Sequence, residues 1–173
     1  HCSTGKSQLP RILETAKICT KKNLKVHFFI CGDGPRLNEL KNKTKELKNI
    51  FFPGWLDGVE TKYLNRMSDI GLAPYVNTKN FVDNLPNKIA EYMFGKNVIA
   101  LSLTKGKMFD IINKYSCGFT YQNPYDLTNK ISKLIDQPLK LKKLKNNSYA
   151  VYKTKLNGTK IYENFTTYLN NFR

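Results

Sequence analysis

Short apolar runs alternate with amphipathic helices along most of this chain, and that alternation leaves few folds open. Val26-His27-Phe28-Phe29-Ile30-Cys31, Ile50-Phe51-Phe52, Ile70-Gly71-Leu72-Ala73, Asn97 to Leu101 and Gly118 to Tyr121 read as strands. Between them, Leu9, Ile12, Leu13, Ala16 and Cys19 recur with a 3.6-residue period, and Pro10 fits only the first turn of that helix. Leu37, Leu40, Thr44 and Leu47 mark a second helix, and Leu64 and Met67 a short third one. Asn87 to Phe94, Met108 to Tyr115 and Leu127 to Ile135 mark three more. Such alternation predicts an α/β fold with a parallel sheet, and right-handed crossovers place helices on both of its faces. The expected organisation is one domain over 1–138 with a C-terminal helical extension over 139–173, where Ile161, Phe165, Tyr168, Leu169 and Phe172 share one side.

Ligands of parallel open sheets bind at the carboxyl ends of the strands. Here those ends are the loops at Gly32, Pro53, Pro74 and Leu101. The polar stretch from Tyr75 to Pro86 is long enough to be functional, with Asp83 closing a loop.

Composition narrows the partners. With 40% apolar and 24% charged residues the chain is neither a disordered tail nor a membrane bundle, and no apolar run approaches the ~20 residues of a membrane span. The net charge of +16 attracts anions: nucleic acid, acidic lipid or phosphorylated small molecules. Only four of the 29 basic residues are Arg, however, and Asn is abundant at 19. Codon bias in an AT-rich genome produces that pair of excesses, and the bidentate Arg fork suited to bases and phosphates is scarce. Specific nucleic-acid binding is therefore not expected. Cys2, Cys19, Cys31 and Cys117 form no C-x-x-C pair, and His1 and His27 lie in no ligand pattern, so no metal site is expected. Cys31 is expected to pack as a small hydrophobe. The usage fits a reducing compartment.

Two segments could carry chemistry. Gly5-Lys6-Ser7 is half of a P-loop whose first glycine would precede His1, and no Asp stands at a strand end in the right context for magnesium. The second is Phe81 to Met93. Asn87, after Pro86, reads as the cap of a helix whose free amides and positive dipole end face an anion, and Lys88 adds a charge. Glu91, one turn further on, can accept hydrogen bonds from sugar hydroxyls.

The run Leu85-Pro86-Asn87-Lys88-Ile89-Ala90-Glu91-Tyr92-Met93, followed by Gly95 to Ala100, resembles the donor-binding motif of glycosyltransferase family 4. So do Ile30-Cys31-Gly32-Asp33-Gly34-Pro35, Asn49 to Gly54, and Ser68 to Pro74, in the same order and spacing. The resemblance implies the Rossmann-like C-terminal half of a two-domain GT-B enzyme that transfers a sugar from a nucleotide donor with retention of configuration. It implies that Asp83 holds sugar hydroxyls, Glu91 the ribose hydroxyls, and the backbone from Leu85 through Asn87 to Lys88 the diphosphate, while Asn84 also belongs to the donor site. Asp83, Lys88 and Glu91 are then the residues at the reacting end. Gly32 and Gly34 line the donor site, Gly54, Trp55 and Leu56 the nucleobase, and Lys6 matches a phosphate-binding lysine. Asp83 stands where the family usually has Glu, and Leu85 and Pro86 stand where many members have glycines.

No metal or other cofactor is implied, since the nucleotide sugar is a substrate. The implied partners are the donor, a glycan or lipid-linked acceptor, and an N-terminal domain that this chain does not match. The sheet's first strand is expected ahead of His1. The expected location is the cytoplasm. Leu139, Leu141 and Leu144 among lysines give either a solvated helix or a peripheral contact with the inner face of an anionic membrane. A P-loop phosphotransferase and a basic nucleic-acid-binding module are the alternatives that the residues alone leave open.

Overall fold

Five parallel strands and nine α-helices make up the computed structural model, which describes residues 8–170 and, at Lys160, Ile161, Asn164, Phe165 and Leu169, their backbone alone. In chain order they are α1 (Leu9–Lys21), β1 (Phe28–Cys31), α2 (Leu37–Thr44), β2 (Ile50–Gly54), α3 (Gly58–Met67), β3 (Ile70–Ala73), α4 (Lys79–Asp83) and α5 (Asn87–Phe94). Then follow β4 (Val98–Leu101), α6 (Lys107–Tyr115), β5 (Gly118–Thr120), α7 (Pro124–Ile135), α8 (Pro138–Val151), a π-turn (Tyr152–Leu156) and α9 (Gly158–Asn170). The helical face expected from Ile161, Phe165 and Leu169 concerns side chains that are not described, and Phe172, like Lys6, lies outside the described residues.

β1 pairs in parallel with β2, and β4 pairs in parallel with β3 on one side and β5 on the other. Among the described residues no ladder joins β1 to β3.

Two apolar layers sandwich the strands. On one side α1, α2 and α7 supply Ile12, Leu13, Ala16, Leu40, Leu127 and Ile131 against Phe28, Ile50, Ala100 and Tyr121. On the other, α5, α6 and α8 supply Ile89, Met93, Met108, Ile112 and Val151 against Ala73, Ile99 and Leu101. Adjacent residues of β4 thus face opposite layers, as the two-residue period of a strand requires, and the whole strand is buried. Its continuous apolar sequence follows from that double burial.

Cys31 departs from expectation. It lies on the same side of β1 as Phe29, away from Phe28 and its core, and both are exposed. Pro53 and Gly54, expected to end β2, belong to it. Cys31 aligns with Gly54 while Phe29 aligns with Phe51, so two steps along β1 face three along β2.

Candidate functional site

The carboxyl ends of β1 and β2 are tied together by glycines. The Gly32 amide donates to the Gly54 carbonyl at 2.7 Å. Gly32 and Gly54 sit at φ 125° and 83°, values that side-chain-bearing residues rarely adopt. A Cβ on Gly54 would lie 3.4 Å from the Asp33 carboxylate, so the two turns pack against each other. Trp55 follows and is 69% exposed, while Leu56 joins Phe29, Val59, Tyr63 and Leu64 around an apolar groove. The exit from this turn is fixed by a capping box. Asp57 accepts from the amides of Val59 and Glu60 at 2.7 and 2.8 Å, and Glu60 accepts from the Asp57 amide at 2.9 Å.

Beyond β3 the chain is anchored by Ser102, just past β4. Its amide and hydroxyl donate to the Ala73 carbonyl, and the hydroxyl also donates to the Tyr75 carbonyl at 2.5 Å. Tyr75 stacks on Phe81 with ring centroids 4.7 Å apart. The segment expected as one polar loop contains α4, and Asp83 ends that helix instead of closing a loop. α4 rests on Gly106, whose φ of 97° and missing Cβ leave room for the Val82 carbonyl. Asp83 and Asn84 are exposed, and the Asn84 amide donates to Asn80 Oδ1 at 2.8 Å.

α5 begins as expected but is capped differently. Pro86, at φ −62° and ψ 141°, occupies the cap position, and Asn87 is already helical. Proline loses nothing there, since it has no N–H to leave unpaired. The Ile89 amide donates to the Pro86 carbonyl at 3.0 Å, whereas the Asn87 and Lys88 amides have no acceptor among the described residues. Two donors and the positive end of the helix therefore point outward beside the half-buried Leu85.

Electrostatics shows which elements meet here. Partial desolvation pushes the thiol of Cys31 up although the residue is exposed, and the nearby Lys88 charge opposes that rise. Burial also pushes the Tyr92 phenol up, reinforced by Tyr75, Cys31 and Glu91. Tyr92 donates to the Leu72 carbonyl at 3.3 Å, and its ring lies where a Cβ on Gly71 would be. Residues from β1, the loop after β3 and the first turns of α5 thus lie near one half-buried ring. Asn87, Lys88 and Glu91 are all exposed around it.

The structure brings the expected residues together in two neighbouring sets: Gly32, Gly34, Gly54, Trp55 and Leu56 at the ends of β1 and β2, and Asp83 to Glu91 at the ends of β3 and β4. The Lys88 charge is near enough to act on the Cys31 thiol, which relates the two sets. Sequence reasoning missed Tyr92, Ser102 and Gly106. Ser102 was findable as a polar residue directly after a buried strand, and Gly106 as a glycine opening a helix. Tyr92 carries no local signal, because its place depends on Gly71. Among the described residues no three His, Cys, Asp or Glu side chains group as metal ligands would. Nor is any helix long and apolar enough to cross a membrane.

The fold is that of the C-terminal Rossmann-like domain of GT-B glycosyltransferases. HepE of Anabaena, solved in complex with UDP and glucose, superposes with a TM-score of 0.74 at 14% identity, covering 97% of this chain and 47% of HepE. TarM of S. aureus, solved in a complex that includes UDP, gives 0.71 at 16% identity over 95% of this chain and 33% of TarM. A glycosyltransferase of Rickettsia africae gives 0.63 at 19% identity over 87% of this chain and 41% of its own. This chain therefore spans about half the length of HepE and a third of TarM. No curated protein matches it in sequence. Residues 6–137 match the family model of group 1 glycosyl transferases, and the chain belongs to that family.

Proposed function

We propose that this chain is the donor-binding half of a retaining hexosyltransferase of glycosyltransferase family 4. One observation carries the reading: the unpaired amides at the start of α5, the Lys88 ammonium and the Glu91 carboxylate lie side by side at the sheet's carboxyl end. In sugar transfer from a nucleoside diphosphate, negative charge grows on the departing diphosphate. The Asn87 and Lys88 amides, with the Lys88 ammonium, are placed to stabilise that charge, so no metal is needed for it. Glu91 accepts from the ribose 2′- and 3′-hydroxyls, a charge-assisted pair of bonds. Asp83 receives a sugar hydroxyl, and the Gly54-Trp55-Leu56 turn lies along the base.

The acceptor is a glycan or lipid-linked sugar, held mainly by an opposing domain, so transfer by this chain alone is not expected. WaaG, a further fold neighbour at 16% identity, is described as a glycosyltransferase of lipopolysaccharide biosynthesis. A role in cell-envelope polysaccharide made at the cytoplasmic side is in keeping with it. Calorimetry with a nucleoside diphosphate and the matching nucleotide sugar tests the site. Glu91→Gln keeps the side chain's shape, removes its charge and weakens both ligands by roughly 1.5–3 kcal/mol per charged bond lost. Asp83→Asn weakens only the sugar-bearing ligand. A folded Glu91→Gln variant that binds nucleoside diphosphate like the parent overturns the assignment.

A further inference from the structure

The amino ends of β3 and β4, opposite the proposed donor site, open into a cleft of about 400 Å³ lined by Arg66, Phe94, Gly95, Lys96, Lys145 and Tyr149. Its cations converge from three places: the last turn of α3, the turn after α5, and α8. Arg66 lies over the Phe94 ring at 5.3 Å, and Lys96 and Lys153 lie over Tyr149 at 5.0 and 5.5 Å. Lys145 pairs with Asp69 at 2.7 Å. Among the described ion pairs that is the cleft's one carboxylate contact, so three lining cations share one acid.

Basic residues at helix ends usually serve the last carbonyls. Here five of the last eight carbonyls of α3 and α5 are already served by other donors. Leu64 accepts from the Ser68 amide and hydroxyl, and Asn65 from the Asn97 side-chain amide at 2.9 Å. Glu91, Tyr92 and Met93 accept from the amides of Gly95, Asn97 and Lys96. The Arg66 and Lys96 donors therefore remain available, rested on aromatic faces instead of being spent on the fold. Lys96 moreover sits at φ 64°, a position where helix ends ordinarily carry Gly or Asn.

We propose that this cleft binds a phosphate-class anion, a phosphomonoester or diphosphate group held by the Arg66 fork and the Lys96 ammonium against the Tyr149 ring. The eight residues of α5, about 12 Å of helix, separate it from the donor site. Either a soluble phosphorylated compound or a lipid headgroup presents that chemistry. The test is an amide-resolved NMR titration of the full chain with inorganic phosphate and then pyrophosphate, at ionic strength held constant with chloride. The expected result is saturable shifts at Gly95, Lys96 and Asn97. Arg66→Gln and Lys96→Gln each weaken them about tenfold or more, and Lys142→Gln leaves them unchanged. Lys96 is exposed, so Lys96→Gln decides the matter if Arg66→Gln does not fold. Shifts that chloride reproduces equally, or that survive Lys96→Gln in the folded chain, overturn the proposal. A second arm sediments the chain with phosphatidylcholine vesicles with and without phosphatidic acid. Binding that requires phosphatidic acid and is lost in Lys96→Gln identifies a headgroup as the source. Saturable phosphate shifts without such vesicle binding identify a soluble ligand.

Discussion

Gly106→Ala is the substitution whose cost can be worked most directly from this structure. Gly106 adopts φ 97° and ψ −179°, a region open almost only to glycine, and forcing alanine into it costs about 1–3 kcal/mol. A Cβ there would also overlap the Val82 carbonyl oxygen, so α4 must move or α6 must begin elsewhere. Overpacking of this kind adds about 1–3 kcal/mol. Together the two effects reach roughly 2–6 kcal/mol, against a typical total stability of about 5–15 kcal/mol. At about 2–4 °C per kcal/mol for a domain of this size, the melting temperature falls by at least about 4 °C. The assay is a thermal melt followed by circular dichroism, with Gly34→Ala as control. Gly34 has nothing within 4 Å of an added Cβ and no positive φ, so that change leaves stability nearly unaltered. Because α4 carries Asp83, Gly106→Ala also erases the difference in affinity between nucleotide sugar and bare nucleoside diphosphate. A variant melting within about 1 °C of the parent would refute both the strain and the seating of α4 on Gly106.

Trp55, the only tryptophan, changes its fluorescence on titration with uridine, guanosine or adenosine diphosphate; silence while calorimetry detects binding removes it from the site. Cys31 is exposed while Cys19 and Cys117 are buried, and burial pushes the Cys117 thiol up to about 11. A maleimide followed by mass spectrometry therefore modifies Cys31 before those two, and bound nucleoside diphosphate slows the reaction; labelling of Cys117 first contradicts the burial. Hydrogen bonds from Arg36 and then Lys43 hold the exposed Glu39 carboxyl down at about 2. Its folded value lies below the ordinary ~4.3, so its contribution is present above that pH and fades as pH falls towards about 2. Glu39→Gln flattens acid unfolding across that window, and an unchanged acid profile rules the contribution out.

What could be read from the sequence was whatever rests on local pattern. The bounds of α5 followed from apolar spacing and from Pro86 ahead of it, and the buried β4 from an unbroken apolar run. The loops of the candidate site followed from the rule that strand ends bind. Features that depend on distant partners were hidden. α4 has no apolar period of its own and is held by Gly106 far along the chain. Cys31 looked like core because a four-residue strand does not disclose which of its faces will be covered. The Pro86 cap was missed because Asn is the better cap by composition, whereas the backbone angles here favour proline.

Asn97 gives the C-terminal helices a standing that the family boundary does not suggest. Its side-chain amide donates to Asn65, at the end of α3, and its carbonyl accepts the buried Ser148 hydroxyl of α8 at 2.6 Å. Val151, from the same helix, completes the layer over β4. A chain cut at residue 137, where the family match stops, would strip that carbonyl of its partner and uncover part of the apolar side of β4. Recombinant boundaries drawn from family matches alone would then yield material that collects in inclusion bodies, and the shortest piece worth expressing runs at least through Val151.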